Sequence, residues 1–161
     1  MRRLVQSAAA VALTLLLCSC GNRSMRVAYI EACMNELPAL SIPAKKLGEA
    51  TGVWLQGEEA DVAEIEKRHE TLKAAVENLK KNVAAIRERG VTAPEFDAAF
   101  DEYVVHLDEQ MARGEKLLEL IRSENPPGFA AASKAHELLL EGDAREKAVL
   151  QLLALRAQEA R

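Results

Sequence analysis

The chain has 161 residues, 49% of them apolar and only 4% aromatic, and its 25 acidic residues outnumber its 21 basic ones. This length and composition suit a single domain with a true hydrophobic core. The acidic balance argues against nucleic acid as a partner, because contacts to phosphates require an excess of basic residues. Abundant Ala, Leu, Glu, Lys and Arg are typical of a mostly helical protein.

The first twenty residues have the pattern of an export signal. Arg2 and Arg3 form a positively charged start, and Ala8–Leu17 is uncharged and largely apolar. The uncharged run Leu4–Cys20 is shorter than the roughly 20 apolar residues of a membrane-spanning helix, so a retained transmembrane helix is the weaker interpretation. We therefore exclude this segment from the folded domain.

The segment ends in Leu17-Cys18-Ser19-Cys20, which resembles the lipobox of bacterial lipoproteins. In that family a Leu three positions before the cysteine and a small residue directly before it mark the cleavage site. The resemblance implies that residues 1–19 are removed and that Cys20 becomes a lipidated N-terminus, stably anchored because it carries several acyl chains. An ordinary secretory signal cut nearby is the alternative, and it also exports the protein.

Gly21, rather than Asp, follows this cysteine. In lipoproteins of enteric bacteria that choice resembles the signal for the outer membrane. The resemblance therefore implies a lipid-anchored protein of the bacterial cell envelope, in the outer membrane and facing the periplasm.

A short tether, residues 20–24, separates the anchor from a domain that we assign to residues 25–161. Met25–Gln56 carries apolar residues at helical spacing up to Pro38, and Ser41-Ile42-Pro43 indicates a second helix start. We expect one or two short helices here, packed on the rest of the domain.

A first long helix is predicted between Gly57 and Gly90. Its apolar residues recur in alternating steps of three and four, and His69 occupies the one missing place in this heptad stripe. The stripe comprises Val62, Ile65, Leu72, Val76, Leu79, Val83 and Ile86. Gly90 is a natural stop for the helix.

A second long helix is predicted after Thr92-Ala93-Pro94-Glu95, a capping-box pattern in which Thr and Glu satisfy backbone N–H groups at the helix start. Its apolar face comprises Phe96, Phe100, Tyr103, Val104, Leu107, Met111, Leu118 and Ile121. The helix ends at Asn125-Pro126-Pro127-Gly128, where we expect Asn125 to cap the next helix and Pro126 to begin it.

A third long helix is predicted from Phe129 to about Ala160. Its expected core stripe comprises Ala132, Ala135, Leu139, Val149 and Leu153, widened by Leu138, Leu150 and Leu152. Gly142-Asp143 can kink or split it, but a continuous helix also fits, since it then matches the other two in length.

The predicted fold class is all-α. Three segments of about 30 residues, each near 45 Å long at ~1.5 Å per residue and joined by short connections, should pack as an up-down-up bundle. The one or two short N-terminal helices pack on this bundle.

The three histidines fall one in each long helix, and bundle interiors often hold metal ligands. In antiparallel helices His69 and His136 reach similar heights, whereas His106 lies too far away, and Glu66 stands three residues before His69. The candidate metal site is therefore His69, His136 and Glu66. A single Glu-x-x-His motif is less than a di-iron bundle contains, so we favour the alternative, polar residues at the edge of the core.

Trp54 and Cys33 have candidate roles in interactions. We expect Trp54 to close the bundle end at which Phe129 begins the last helix, although an exposed Trp could instead anchor a partner. Cys33 is the thiol left in a lipidated mature chain and could join two copies in an oxidising periplasm. Its neighbours Ile30 and Met34 favour a small buried side chain instead.

The sequence contains no recognised catalytic, haem-attachment or phosphate-loop motif, so we expect no enzyme and no cofactor. We expect a noncatalytic helical protein-interaction or structural module, held at the membrane through lipid on Cys20, that contacts another envelope protein or its own copy. The alternative is a periplasmic ligand- or metal-binding helical bundle, which a cavity lined by converging polar groups would favour.

Overall fold

The computed structural model describes residues 23–160, and all regular secondary structure in that range is helical. The elements are α1 (residues 23–34), a 3-10 turn (Leu37–Leu40), α2 (Ser41–Leu55), α3 (Val62–Arg87), α4 (Pro94–Ser123) and α5 (Phe129–Glu159). The all-α prediction is confirmed for this range, and residues 23 and 24, which we had assigned to the tether, are already helical. The signal and Cys20 lie outside the described residues. No helix within them is both long and apolar enough to cross a membrane.

Helix α3 forms where the heptad stripe predicted it. Asp61 is its N-cap, with a side chain that accepts from the backbone N–H of Glu64 at 3.1 Å. Gly90, just beyond its end, has a φ of +77°, a left-handed conformation that glycine adopts without a steric penalty. The stripe is buried from Ile65 to Ile86, with His69 in the place that the pattern left for it.

The start of α4 differs from the capping-box prediction. The helix begins at Pro94, with Ala93 rather than Thr92 as its N-cap. The backbone N–H of Ala93 donates to Oδ2 of Asp97 at 3.0 Å, not to Glu95. Proline suits the first helical position because its φ is fixed and it has no N–H to satisfy, and this moves the cap one residue past Thr92.

The start of α5 also differs from the prediction. Its N-cap is Gly128, and the side chain of Asn125 is bound elsewhere. Asn125 Oδ1 accepts from the N–H of Ala60 at 2.9 Å, and its Nδ2 donates to the carbonyl of Ala60 at 2.8 Å. The prediction that Asn125 caps and Pro126 begins the helix was wrong, because this amide joins two interhelical loops.

Helix α5 is continuous through Gly142-Asp143, and its predicted core stripe is confirmed at Ala135, Val149 and Leu153 but not at Ala132 and Leu139. The buried residues are Ala131, Ala135, Gly142, Val149, Leu153 and Ala157. Leu139 and Leu150 are partly exposed, and Phe129, the first residue of the helix, is 91% exposed. Helix α5 thus turns mostly small residues toward the core, which lets it approach α4 closely.

Ion pairs join successive long helices in an antiparallel sense, at their ends and at their middles. They are Glu66–Arg122, Lys73–Glu115 and Arg87–Asp101 between α3 and α4, and Glu109–Arg145 and Glu95–Arg156 between α4 and α5. Residues near the start of one helix therefore lie beside residues near the end of the next.

Candidate functional site

The buried apolar residues form two clusters, and a cavity of about 240 Å³ opens where these clusters part. Leu72 and Met111 belong to the larger cluster, and Ile65 and Leu117 belong to the smaller one. On α3, His69 lies between Ile65 of the smaller cluster and Leu72 of the larger cluster. Helices α2, α3, α4 and α5 all line this space, which we call the central cavity. Its polar lining comprises Thr51, His69, Gln110, Arg113, Asp143 and Glu146.

His69 forms part of the wall of the central cavity and is only 2% exposed. Among residues 23–160, its Nε2 has no hydrogen-bond partner. Gly114 of α4 lies against the imidazole, and a Cβ at that position would stand 2.6 Å from Nε2 and 2.8 Å from Cδ2 of His69. No real Cβ approaches so closely, so His69 can keep its place only because residue 114 is glycine.

Three glycines inside helices line the central cavity: Gly48, Gly114 and Gly142. A glycine inside a helix destabilises it by about 0.5–1 kcal/mol relative to alanine. Gly142 is buried, and a Cβ there would lie 3.5 Å from Nε of Arg113. The missing side chains thus leave space at the level where three helices surround His69.

Arg113 brings a positive charge to the central cavity. Its side chain is 18% exposed, and its buried Nη2 lacks a hydrogen-bond partner within the described range. Its ion pair with Glu109 is long, at 3.9 Å from Nη1 to Oε2, and the same Glu109 oxygen lies 2.8 Å from Nη1 of Arg145. Glu109 therefore compensates Arg145 better than it compensates Arg113.

Two carboxylates of α5, those of Asp143 and Glu146, line the central cavity. Asp143 is exposed, and Glu146 is half-buried and accepts from Nε2 of Gln110 at 3.2 Å. Water can solvate both groups, whereas Thr51 and His69 are the most buried polar residues of the lining.

His106 is fully buried, although it does not line the central cavity. Neither ring nitrogen has a hydrogen-bond partner in the part of the chain that the structure describes. Burial, and secondarily the positive charge of Arg113, lowers the pKa of this imidazole, with a further lowering by Arg145, while Glu146 and Glu109 act in the opposite direction. The neutral form is therefore favoured in the folded protein.

The residues of the candidate metal site lie in three different surroundings. His69 is buried against Gly114, Glu66 accepts from Arg122 at 2.7 Å, and His136 is exposed. Over residues 23–160 there is no group of three or more His, Cys, Asp or Glu side chains that could hold a metal ion.

Trp54 and Cys33 are both fully buried. The indole Nε1 of Trp54 donates to the carbonyl of Glu124 at 2.8 Å, which fixes the ring inside the smaller core cluster. The thiol of Cys33 is free, and burial raises its pKa, which lowers its reactivity. Neither side chain is presented to a partner in this conformation.

Sequence reasoning did not identify Arg113, Gly114 or Gly142 as members of a site. Glycines inside predicted helices were an available signal, because they weaken a helix unless space is required there. Their convergence on one cavity depends on how the helices pack, which no local pattern contains.

Comparisons of the chain with protein-family profiles, with curated proteins and with solved structures find no match.

Proposed function

We propose that this chain is a bacterial envelope lipoprotein, anchored through lipid on Cys20, and that its helical body is a noncatalytic interaction module. The support for the anchor is the N-terminal sequence, with its basic start, apolar stretch and Leu17-Cys18-Ser19-Cys20 motif. Gly21 supports an outer-membrane location, with the body in the periplasm. The partner is another envelope protein or a second copy of the chain.

The proposal includes an up-down-up bundle of α3, α4 and α5. The antiparallel ion pairs between these helices support this arrangement. Helix α2 then packs along α3, since Nη1 of Arg68 donates to the carbonyl of Lys46 at 2.6 Å. The turn after α1 also contacts α3, since Nδ2 of Asn82 donates to Glu36 at 2.7 Å. The start of α1 lies only three residues after Cys20 in the sequence. The end of the bundle opposite the start of α1 is therefore the end farthest from the proposed anchor.

The exposure of Phe129 carries the proposal of an interaction at this far end. Its side chain is 91% exposed at the first residue of α5, and Val53, near the end of α2, is also partly exposed. Large aromatic side chains that become buried on binding contribute strongly to protein interfaces. A membrane-anchored body would hold Phe129 about 45 Å from the bilayer, at the length of a 30-residue helix.

Site-specific photocrosslinking in the native host tests this interaction. A photoreactive amino acid at position 129 should yield a discrete adduct with an envelope protein or a second copy. The matched control is position 155, because Leu155 is 49% exposed on the same helix, about 40 Å away at 1.5 Å per residue. Equal adducts at the two positions, or none at 129, would contradict the interaction proposal.

Intact-mass analysis and membrane fractionation, with a Cys20→Ser variant, test the anchor separately. We expect a mature chain that begins at Cys20 with added lipid mass, and a variant that is unprocessed or released. A soluble mature chain that begins elsewhere and carries no lipid would contradict the anchor.

The alternative, a ligand-binding bundle, is favoured by one observation, the central cavity with its unpartnered His69. The metal-binding form lacks such support, because His69, Glu66 and His136 do not come together.

A further inference from the structure

We propose that the central cavity binds a small organic amine in its protonated form. The ammonium group is held by the carboxylates of Asp143 and Glu146, and the apolar body lies inside the bundle. This site is independent of the interaction surface at Phe129, and it would give the lipoprotein a second, ligand-dependent activity.

The cavity is an apolar space that opens on one side. Leu72 of α3 and Leu117 of α4 are buried lining residues, whereas α2 and α5 contribute exposed ones. The exposed lining residues of α2 and α5 are Ala44, Gly48, Leu139 and Asp143. A small molecule therefore enters between α2 and α5, and its apolar body packs against the leucines behind them.

The volume of the cavity limits the size of the ligand. At about 240 Å³ it is smaller than most ligand sites, which span roughly 300–1,000 Å³. A short alkyl chain or a single aromatic ring suits such a space, and its removal from water favours binding. The large apolar side chains of the lining are Leu47, Leu72, Met111, Leu117, Leu138 and Leu139.

Asp143 and Glu146 determine the charge of the ligand. They stand three residues apart on α5, a spacing that makes side chains neighbours on a helix surface. Within residues 23–160 neither carboxylate forms an ion pair, and Glu146 accepts only from the amide of Gln110. Neighbouring like charges repel each other, so an ammonium group beside them relieves this repulsion and can donate to both carboxylates.

Arg113 is the arginine of the lining, and its charge does not cancel this preference. Its Nη2 is buried, a Cβ at Gly142 would lie 3.5 Å from its Nε, and its Nη1 lies 3.9 Å from Oε2 of Glu109. The guanidinium is thus packed against α5 and already faces a carboxylate. Since a ligand meets two carboxylates and one guanidinium, a cationic head group is favoured over an anionic one.

Isothermal titration calorimetry on the mature, full-length protein in lipid nanodiscs tests the proposal, with empty nanodiscs as the blank. The probes at pH 7 are hexylamine, hexanol and hexanoate, and phenethylamine, 2-phenylethanol and 3-phenylpropanoate. We expect saturable binding of at least one amine, binding of its alcohol that is weaker by about tenfold or more, and no binding of its carboxylate. No saturable binding of either amine, or equal or tighter binding of the alcohol or the carboxylate, would overturn the proposal.

Two double variants of α5 test the carboxylates. Asp143→Asn combined with Glu146→Gln should weaken amine binding by about tenfold or more, because hydrogen bonds between charged groups are lost. Glu137→Gln combined with Glu141→Gln removes the same charge from exposed side chains of this helix that lie outside the lining, and should leave amine binding unchanged. Equal binding by the two double variants would refute the role of Asp143 and Glu146.

Two glycines of α2 test the location of the ligand. Gly48 lines the cavity and Gly52 does not, and a Cβ at either position would have no neighbouring group within 4 Å. Leucine is a better helix former than glycine, so both Gly48→Leu and Gly52→Leu should fold. Gly48→Leu narrows the opening and should weaken amine binding by about tenfold or more, whereas Gly52→Leu should bind like the wild type. Unchanged binding by Gly48→Leu would place the amine outside the cavity and overturn the proposal. None of these results affects the anchor or the Phe129 interaction.

Discussion

At the level of single residues, two histidines, His69 and His106, are buried in an otherwise apolar core. The heptad stripe of α3 predicted an inward position for His69, and that prediction is confirmed. His106 is buried as well, although we had favoured the edge of the core for all three histidines. Only His136 is exposed. The depth of each imidazole depends on the neighbouring helix, which is why the sequence did not distinguish them.

Replacing His106 tests the consequence of this burial for acid stability. Burial lowers the folded-state pKa of His106 below the usual value near 6.5. As the pH falls below that value, the unfolded chain binds a proton that the folded protein resists, so the free energy of unfolding decreases. His106→Leu removes this contribution, and the variant should lose less free energy of unfolding than the wild type between pH 7 and pH 5.

Urea unfolding at the two pH values measures this difference. His136→Leu is the matched control, because His136 lies exposed on α5, and it should follow the wild type. At pH 7 we expect His106→Leu to be as stable as the wild type or more so, because an unpartnered buried polar group is replaced by an apolar one. An equal acid loss in His106→Leu and the wild type would contradict the prediction.

At the scale of the elements, α3 begins at a local Asp61 cap, but the starts of α4 and α5 do not follow the local capping patterns. Thr92 and Asn125 are both good N-cap residues by type. Pro94 displaces the cap to Ala93 in α4, and the amide of Asn125 is engaged by Ala60, a residue far away in sequence. A capping residue is available to a helix only when no tertiary partner binds it first.

The Asn125–Ala60 pair should contribute to stability by joining the loop before α3 to the loop before α5. Asn125→Ala removes two hydrogen bonds and leaves a half-buried backbone N–H and carbonyl without them. We expect a loss of about 1–3 kcal/mol in the free energy of unfolding, measured in urea. Asn82→Ala is the control, because its bond to Glu36 is exposed, and it should change stability by about 0.5 kcal/mol or less. Equal effects of the two substitutions would contradict the role of Asn125.

For the whole molecule, the proposed up-down-up arrangement makes a prediction about distances. Lys73 lies beside Glu115, whereas Asp101 lies beside Arg87, nearer the other end of the helix pair. A short bis-maleimide should therefore link Lys73→Cys to Glu115→Cys but not Lys73→Cys to Asp101→Cys.

Mass spectrometry of proteolysed protein identifies the linked peptides in this experiment. Cys33 should not compete, because it is fully buried and its pKa is raised by burial. Efficient linkage of the Lys73–Asp101 pair, or none of the Lys73–Glu115 pair, would rule out the proposed arrangement.

The sequence by itself determined the all-α class of the described residues and the position of α3. These properties follow from local physics, since a heptad stripe, an Asp61 cap and a terminal Gly90 act within a single helix. The N-terminal signal and lipidated Cys20 remain predictions from the sequence, as do the interaction function and the bundle arrangement.

The tertiary structure alone decided that Leu139 leaves the buried face of α5, what Asn125 binds and where the core opens. The central cavity is lined by Gly114, Gly142, His69 and Arg113, which come from three helices, and only Gly114 leaves room for the His69 ring. Each of these residues has an ordinary local role when its own helix is considered alone. Their combination depends on the rotation and register with which the helices pack, and these are set by the sum of many long-range contacts rather than by any one segment.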